Sequence, residues 1–146
     1  MKIRGILVVV GIVLTGVAVA LGVIRVLGDS TKAPSSVQGV EMMVEPQSVT
    51  NEGLVFVIEN KTNFNVEYGE EYWLEKRNVL GWNKVQMSDS VFWNAVLYVV
   101  TENSIRNCNL SWKHTYGNLL PGDYRLIKPI TVDGTEYNIA SEFKIP

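Results

Sequence analysis

The chain has 146 residues, of which 47% are hydrophobic and 19% charged, and its formal net charge is −2. Three of the thirteen basic residues precede residue 28, whereas all fifteen acidic residues follow it, so the remainder carries a net charge of −5. This charge repels a phosphate backbone, and no basic stripe is interleaved with aromatic residues, so nucleic acids are not expected partners. With one Cys and one His, zinc sites of the Cys and His type are excluded, and we expect no metal or cofactor.

The first segment in chain order is long and apolar. Gly5 to Ile24 is a run of twenty residues without a charge, long enough at about 1.5 Å per helical residue to cross a hydrocarbon core of about 30 Å. Lys2 and Arg4 precede it, and basic flanks favour the cytoplasmic side, so the rest of the chain is predicted to lie outside. We therefore predict a single-pass anchor in the cell membrane over residues 1–28. A signal peptide cleaved near Ala20, which would give a secreted protein, is the alternative.

The anchor is followed by a spacer and one domain. Residues 29–38 are polar and serine-rich, which predicts a flexible linker. Residues 39–146 are long enough for one domain with its own hydrophobic core. Cys108 has no partner for a disulfide within the chain. We expect it to be a small buried hydrophobic residue, with pairing between two chains as the alternative.

The domain is predicted to be all-β, because short segments with period-two alternation are separated by turn residues and none has a helical stripe. In the strand around residue 73, Tyr72 and Leu74 are expected to face the core. Glu71, Trp73 and Glu75 then face solvent. Other predicted strands cover Val40–Val44, Leu54–Ile58, Lys84–Met87, Tyr124–Ile130 and Ile139–Ile145.

Two segments in the middle of the domain are also predicted to be strands. Val91–Val100 is almost wholly apolar, which is typical of a strand covered on both faces. Leu110, Trp112 and His114 alternate with polar residues and are predicted to share one face of the next strand. Seven or eight short strands in about 107 residues favour a Greek-key β-sandwich.

A local motif supports this fold class. The segment Leu119–Tyr124 has the form Leu-x-Pro-Gly-x-Tyr and resembles a tyrosine corner, in which a buried phenol bonds back to upstream backbone where the chain crosses between sheets. Pro121, Gly122 and Tyr124 are therefore predicted to be structural, as is Trp112 in the core.

A wider set of residues, spread over the domain, forms a recognisable pattern. Its members are Asn60-Lys61-Thr62, Tyr68-Gly69, Tyr72, Leu74-Glu75-Lys76, Trp82, Trp112, Tyr116-Gly117-Asn118-Leu119, Pro121-Gly122-Asp123-Tyr124-Arg125, Lys128 and Phe143. With this pattern the chain resembles, over about residues 38–146, the bacterial immunoglobulin-like domains of small exported or membrane-anchored proteins from Gram-positive bacteria. The resemblance implies an extracytoplasmic immunoglobulin-like sandwich of a kind that mostly has no assigned activity, and no catalytic or binding residue is transferred by it.

Catalytic and metal-ligating patterns are weak. His114 is the only histidine, and we interpret it as a packed or strand-end residue rather than a member of a Ser, His and acid triad. Glu67, Glu70, Glu71 and Glu75 offer oxygen ligands for a hard cation or carboxylates for sugar hydrolysis, but a solvated acidic rim is the favoured interpretation.

The aromatic residues suggest a binding function. Four Trp residues exceed what one small core needs, and exposed aromatic residues anchor interfaces. We interpret Trp73, Phe92 and Trp93 as candidate binding residues, while Trp82, Trp93 and Trp112 are also candidates for the core. The sequence therefore predicts a non-enzymatic, membrane-anchored module that binds an envelope protein or cell-wall component. A cell-wall hydrolase and an exported ion- or ligand-binding domain are the alternatives.

Overall fold

A computed structural model describes residues 34–146. The predicted anchor, the alternative cleavage position near Ala20 and the first five residues of the predicted linker lie outside the described residues. Within residues 34–146, no helix combines the length and apolar character needed to span a membrane.

Alternating side chains and turn residues build nine β-strands in this part of the chain, and the only other regular element there is a short 3-10 helix at Pro46–Ser48. The all-β prediction is therefore confirmed for the described residues, with more strands than the seven or eight expected. The strands are β1 (Val40–Val44), β2 (Gly53–Asn60), β3 (Val66–Tyr68), β4 (Trp73–Asn78), β5 (Gly81–Lys84), β6 (Tyr98–Val100), β7 (Ser104–Ser111), β8 (Gly122–Val132) and β9 (Thr135–Ile145).

The strands form two sheets, and every named pair is antiparallel. The smaller sheet has the order β1-β2-β7. In the larger sheet β8 pairs with β9 along its whole length, and its other edge pairs first with β4 and then with β3. β5 and β6 extend this sheet beyond β4 and β3. The chain crosses between the two sheets after β2, β6 and β7.

The core lies between the inner faces of the two sheets. β2 alternates strictly between half-buried and buried positions, so Leu54, Phe56 and Ile58 point inward. From the larger sheet, Leu126 and Phe143 belong to the same apolar cluster. Burial of this apolar surface is the main force that holds the sheets together.

Two glycines occupy positions that no other residue fits easily. At Gly53 an added Cβ would collide with the Leu110 carbonyl oxygen of β7, so the first pair of β2 and β7 requires glycine. Gly122 has φ +150°, in the region that favours glycine, and its Cβ would lie 2.8 Å from the Lys76 side chain. Gly53 therefore allows β2 and β7 to approach each other, and Gly122 allows the backbone conformation at which β8 begins.

The prediction for Val91–Val100 is wrong. Only Tyr98–Val100 forms a strand, and residues 91–97 have no regular secondary structure. Phe92 is 90% exposed, so this run is not covered on both faces. The run does not continue as a strand because β3 pairs only with its last three residues, Tyr98 to Val100.

The prediction for the following strand is also wrong in part. β7 ends at Ser111, so Trp112 and His114 lie beyond it. The chain turns here because the Trp112 carbonyl accepts hydrogen bonds from the N–H groups of Thr115, Tyr116 and Gly117. His114 is exposed in this turn and does not share a strand face with Leu110.

The end of the predicted linker contacts the domain. The Ser35 N–H donates to the Asn138 carbonyl at 2.7 Å, and the Asn138 N–H donates to the Ser35 hydroxyl at 3.3 Å. Val37 forms an isolated bridge with Val40. Residues 35–37 are thus held against β9 and the start of β1.

Candidate interaction site

The segment between β5 and β6 carries the most exposed of the predicted binding residues. Phe92 is 90% exposed, and Val96 and Leu97 on the same segment are 41% and 63% exposed. Glu70 ties the segment to the β3–β4 connection, because its Oε2 accepts hydrogen bonds from the Asn94 N–H at 3.1 Å and Nδ2 at 2.9 Å. We call residues 91–97 the Phe92 segment; it presents apolar side chains to solvent from an anchored backbone.

Trp93 points away from this exposed surface. It is half-buried, packs against the core cluster, and its ring lies 5.2 Å from that of Tyr72. Tyr72 is buried, and its hydroxyl lies 2.6 Å from the Thr115 hydroxyl. Burial raises the pKa of Tyr72, and the Thr115 hydrogen bond opposes that rise. Phe92 and Trp93 therefore do not form one surface patch.

A cavity of about 490 Å³ opens behind the Phe92 segment, between the two sheets. Its volume falls within the range of about 300–1,000 Å³ that is usual for ligand sites. Aromatic rings from both sheets line it, together with residues Arg106 to Ser111 of β7. The aromatic members are Phe56, Tyr68, Tyr72, Trp93 and Tyr98.

Lys128 lines this cavity and is 4% exposed. It takes an inward position on β8, and its Nζ donates to the carbonyls of Gly69 at 2.6 Å and Glu71 at 2.8 Å. These carbonyls lie in the gap between β3 and β4, where the edge of β8 opposite β9 has no strand partner. Burial lowers the pKa of Lys128 to about 8, while Cys108, Glu71 and Glu70 act to raise it.

A second pair of polar atoms lies close to this lysine. The Tyr68 hydroxyl is 3.1 Å from the Cys108 sulfur, and the Lys128 ammonium lies 5.2 Å from the centre of the Tyr68 ring. Burial is the main cause of a raised pKa of Tyr68, to which the Cys108 contact adds. Cys108 is half-buried and packs against the core cluster. The cavity thus combines aromatic walls with the ammonium of Lys128, the thiol of Cys108 and the phenol of Tyr68, which lie close together.

Trp73 lies away from the cavity, on the outer face of the larger sheet. It is half-buried, and the Lys84 ammonium of β5 lies 6.0 Å from its ring. Trp82 on the same sheet has the Arg125 guanidinium 4.7 Å from its ring and that of Arg77 at 5.8 Å. Neither Trp73 nor Trp82 is among the large exposed hydrophobic residues, and Trp82 is half-buried outside the core cluster.

The four glutamates were predicted to form a solvated acidic rim, and this prediction is wrong for Glu75. Its side chain is 0% exposed, and its Oε2 accepts a hydrogen bond from the Arg125 Nε of the neighbouring strand. Glu71 is exposed, and Glu67 and Glu70 are half-buried. Glu75 is buried beside Arg125, whose guanidinium also lies over the ring of Trp82. Among residues 34–146, no three His, Cys, Asp or Glu side chains are grouped to hold a metal ion.

The predicted structural residues lie together at one end of the sandwich. The Tyr124 hydroxyl donates to the Leu120 carbonyl at 2.8 Å, which is the geometry of a tyrosine corner. The Pro121 carbonyl accepts a hydrogen bond from Lys76 Nζ at 3.1 Å, and Gly122 begins β8. Trp112 is 0% exposed, and its Nε1–H donates to the Asn51 carbonyl at 2.8 Å.

Sequence reasoning did not single out Lys128, Arg106 or Cys108 as parts of a site. The signal for Lys128 was present, because a lysine occupies an inward position between Leu126 and Ile130 of an otherwise apolar face. No comparable signal exists for the β7 residues, since their place at a cavity depends on which strands become neighbours.

Two packed antiparallel sheets joined by a tyrosine corner define a β-sandwich of the immunoglobulin-like class. Residues 36–144 match a family described as bacterial Ig-like domain, and the chain belongs to this family. No curated protein matches the chain. A solved structure of Pseudomonas fluorescens alkylpurine DNA glycosylase AlkC, bound to DNA containing an abasic site analog, is 16% identical and has a TM-score of 0.35. That alignment covers 84% of this chain and 33% of the glycosylase chain, and at this TM-score nothing about function follows from it.

Proposed function

We propose that this protein is a non-enzymatic interaction module, held at the outer surface of the cell membrane by its N-terminal segment. Membership of the bacterial Ig-like family supports an interaction function in general. The twenty-residue apolar run supports the anchor, and the basic residues before it support the outward orientation.

The observation that carries the proposal is the exposure of Phe92. A phenylalanine that is 90% exposed gains free energy when a partner covers it, and aromatic residues are frequent anchors of interfaces. Val96 and Leu97 are exposed on the same segment. We propose that the Phe92 segment is the contact surface and that the partner is an envelope protein or a cell-wall component.

The contacts of Glu70 and Glu75 do not favour the alternative that the protein is a cell-wall hydrolase. Glu75 is paired with Arg125, and Glu70 accepts two hydrogen bonds from Asn94. Both carboxylates therefore make contacts that stabilise the domain, which does not favour the acid and base roles that sugar hydrolysis needs.

The contact surface is tested by site-specific photocrosslinking in cells that produce the full-length protein. A benzophenone amino acid replaces Phe92 in one variant and Leu80 in a matched control, because Leu80 is 74% exposed on the β4–β5 turn. We expect a discrete crosslinked product from position 92 and none from position 80. Equal products from both positions, or none from position 92, would contradict the proposed surface.

The anchor is tested on the same cells. We expect the protein to stay in the membrane fraction after carbonate extraction, with an intact N-terminus by mass and a domain that external protease can digest. Release into the medium with a mass that corresponds to cleavage near Ala20 would contradict the anchor and support secretion.

A further inference from the structure

Strand β7 is an open edge of the smaller sheet, since among the described residues it pairs only with β2. In an antiparallel ladder, hydrogen-bonded pairs alternate with pairs that share no hydrogen bond. Glu52 and Trp112 face each other one position beyond the last pair, Gly53 and Ser111. The Trp112 N–H donates to the Glu52 carbonyl, so this is a hydrogen-bonded pair. Counting back in steps of two, the even-numbered residues of β7 are the ones that bond to β2. Asn107 and Asn109 therefore point their backbone N–H and C=O groups away from β2.

This free edge borders the cavity. Asn107 to Ser111 form one wall, and the connection between β3 and β4 lies on the other side with Trp93. Towards β6 the edge is covered, because the Arg106 Nη1 donates to the Val99 carbonyl at 3.2 Å. From Asn107 onward the edge is available, and unpaired strand edges are templates for a further strand.

The side chains around the cavity indicate which strand would fit. A strand added to β7 would turn alternate side chains inward, towards Tyr68, Tyr72 and Lys128. An ammonium has three donors, and two of those on Lys128 bond to backbone carbonyls. No carboxylate lies within 4.0 Å of Lys128 among residues 34–146. An inward carboxylate on the added strand would supply the third hydrogen bond and a direct ion pair, which Glu70 and Glu71 do not form although both raise the pKa of Lys128.

We propose that an extended peptide segment of a partner protein adds to the free edge of β7, with apolar residues and one carboxylate side chain facing the cavity. The backbone groups of Asn107 and Asn109 provide the pairing, and Lys128 selects the acidic residue. Strand addition of this kind derives affinity from main-chain hydrogen bonds and specificity from pockets for alternate side chains. The site goes beyond the proposed function, since it does not use Phe92.

The probe is a displayed library of random heptapeptides, selected against the full-length protein in detergent micelles. We expect enriched peptides to alternate apolar residues with others and to carry Asp or Glu at one inward position. An enriched peptide is then synthesised with N-methyl groups on alternate amides. Methylation of the amides that face β7 should weaken binding about tenfold or more, as expected for loss of one or more hydrogen bonds, and methylation of the other set should not.

Two variants of the protein test the same geometry. Asn109→Pro removes an outward N–H at an edge position, where proline is tolerated, and should abolish binding, whereas the control Asn109→Ala keeps that N–H and should bind. Lys128→Met should weaken binding of the acidic peptide about tenfold more than it weakens binding of the Glu-to-Gln or Asp-to-Asn analogue, because only the acidic peptide loses an ion pair. Circular dichroism confirms that each variant is folded before binding is measured.

Several results would overturn the inference. These are a library that yields no peptide sensitive to Asn109→Pro, equal losses from both sets of N-methyl groups, or full displacement of the peptide by benzoate, which would make the cavity a site for small carboxylates. The Phe92 crosslink is measured separately in cells, so its failure and the failure of peptide binding are distinguishable.

Discussion

The ion pair between Glu75 and Arg125 gives the sharpest prediction about stability. The Glu75 side chain is 0% exposed and that of Arg125 is 13% exposed. An exposed pair contributes about 0–1 kcal/mol, whereas removing one partner of a buried pair costs about 3–5 kcal/mol because the other charge is left buried. We therefore expect Arg125→Met, which keeps an apolar side chain beneath Trp82, to lower the free energy of unfolding by about 3–5 kcal/mol.

The cause is tested by neutralising the remaining charge. Glu75→Gln in the Arg125→Met background removes the buried carboxylate, so the double variant should be more stable than Arg125→Met alone by at least about 1 kcal/mol. Lys84 provides a matched control, because it lies opposite Glu75 on β5 but is exposed. Lys84→Met should change stability by no more than about 0.5 kcal/mol.

The assay is urea unfolding of the full-length protein in a mild detergent, followed by near-ultraviolet circular dichroism. A loss below about 1 kcal/mol for Arg125→Met would show that solvent screens the pair as it does at a surface. A double variant no more stable than Arg125→Met would show that the lost packing over Trp82, and not the buried charge, causes the destabilisation. Either result would refute the reasoning.

Three further predictions concern single residues. Tyr124→Phe removes the hydroxyl that donates to Leu120 and should lower the free energy of unfolding by about 1 kcal/mol with the fold retained; an unchanged melting temperature would argue against the corner. Asn60→Ala should lower the free energy of unfolding in urea by about 2–4 kcal/mol, because the Asn60 amide is 0% exposed and donates to three backbone carbonyls. A loss within about 0.5 kcal/mol would contradict this. The pKa of Lys128 is about 8 in the folded protein, against an ordinary value of 10.5. Between these two pH values the unfolded chain binds more protons than the folded protein. The free energy of unfolding should therefore rise from pH 8 to 10, by at most about 1.4 kcal/mol per pH unit. Lys128→Met should abolish that rise. Above pH 10 the raised pKa of Tyr72 makes the free energy of unfolding fall as the pH increases.

The sequence predicts the sandwich where local pattern and tertiary environment agree. Leu54, Phe56 and Ile58, each larger than the valines between them, occupy the buried positions of β2, and the Pro121-Gly122 turn marks the entry to β8. At Val91–Val100 the two disagree, because an apolar run without alternation does not say whether neighbouring strands are available on both sides. β3 supplies three pairing positions and the rest of the run is left unpaired.

The candidate sites are less predictable than the fold, for a related reason. The exposure of Phe92 follows from where pairing with β3 stops, which no local pattern encodes. Glu75 occupies the outward position of its strand as alternation predicts, yet it is buried because Arg125 from β8 lies beside it. In both cases the decisive contact comes from a residue far away in the sequence.

The arrangement of polar groups separates the residues that stabilise the domain from those that are proposed to recognise partners. On the outer face of the larger sheet, Glu75 and Arg125 are paired across neighbouring strands, and Arg125 also contacts Trp82. At the β7 edge, by contrast, the backbone groups of Asn107 and Asn109 point away from β2, and Lys128 keeps one donor beyond its two carbonyls.

Groups without protein partners exchange contact with water for contact with a ligand at little cost to the fold, whereas paired groups do not. Substitutions on the outer face should therefore lower stability and leave peptide binding intact. Substitutions at the β7 edge such as Asn109→Pro should do the reverse. If variants on the two surfaces lost stability and binding in parallel, the edge would be a structural feature rather than a place for a partner.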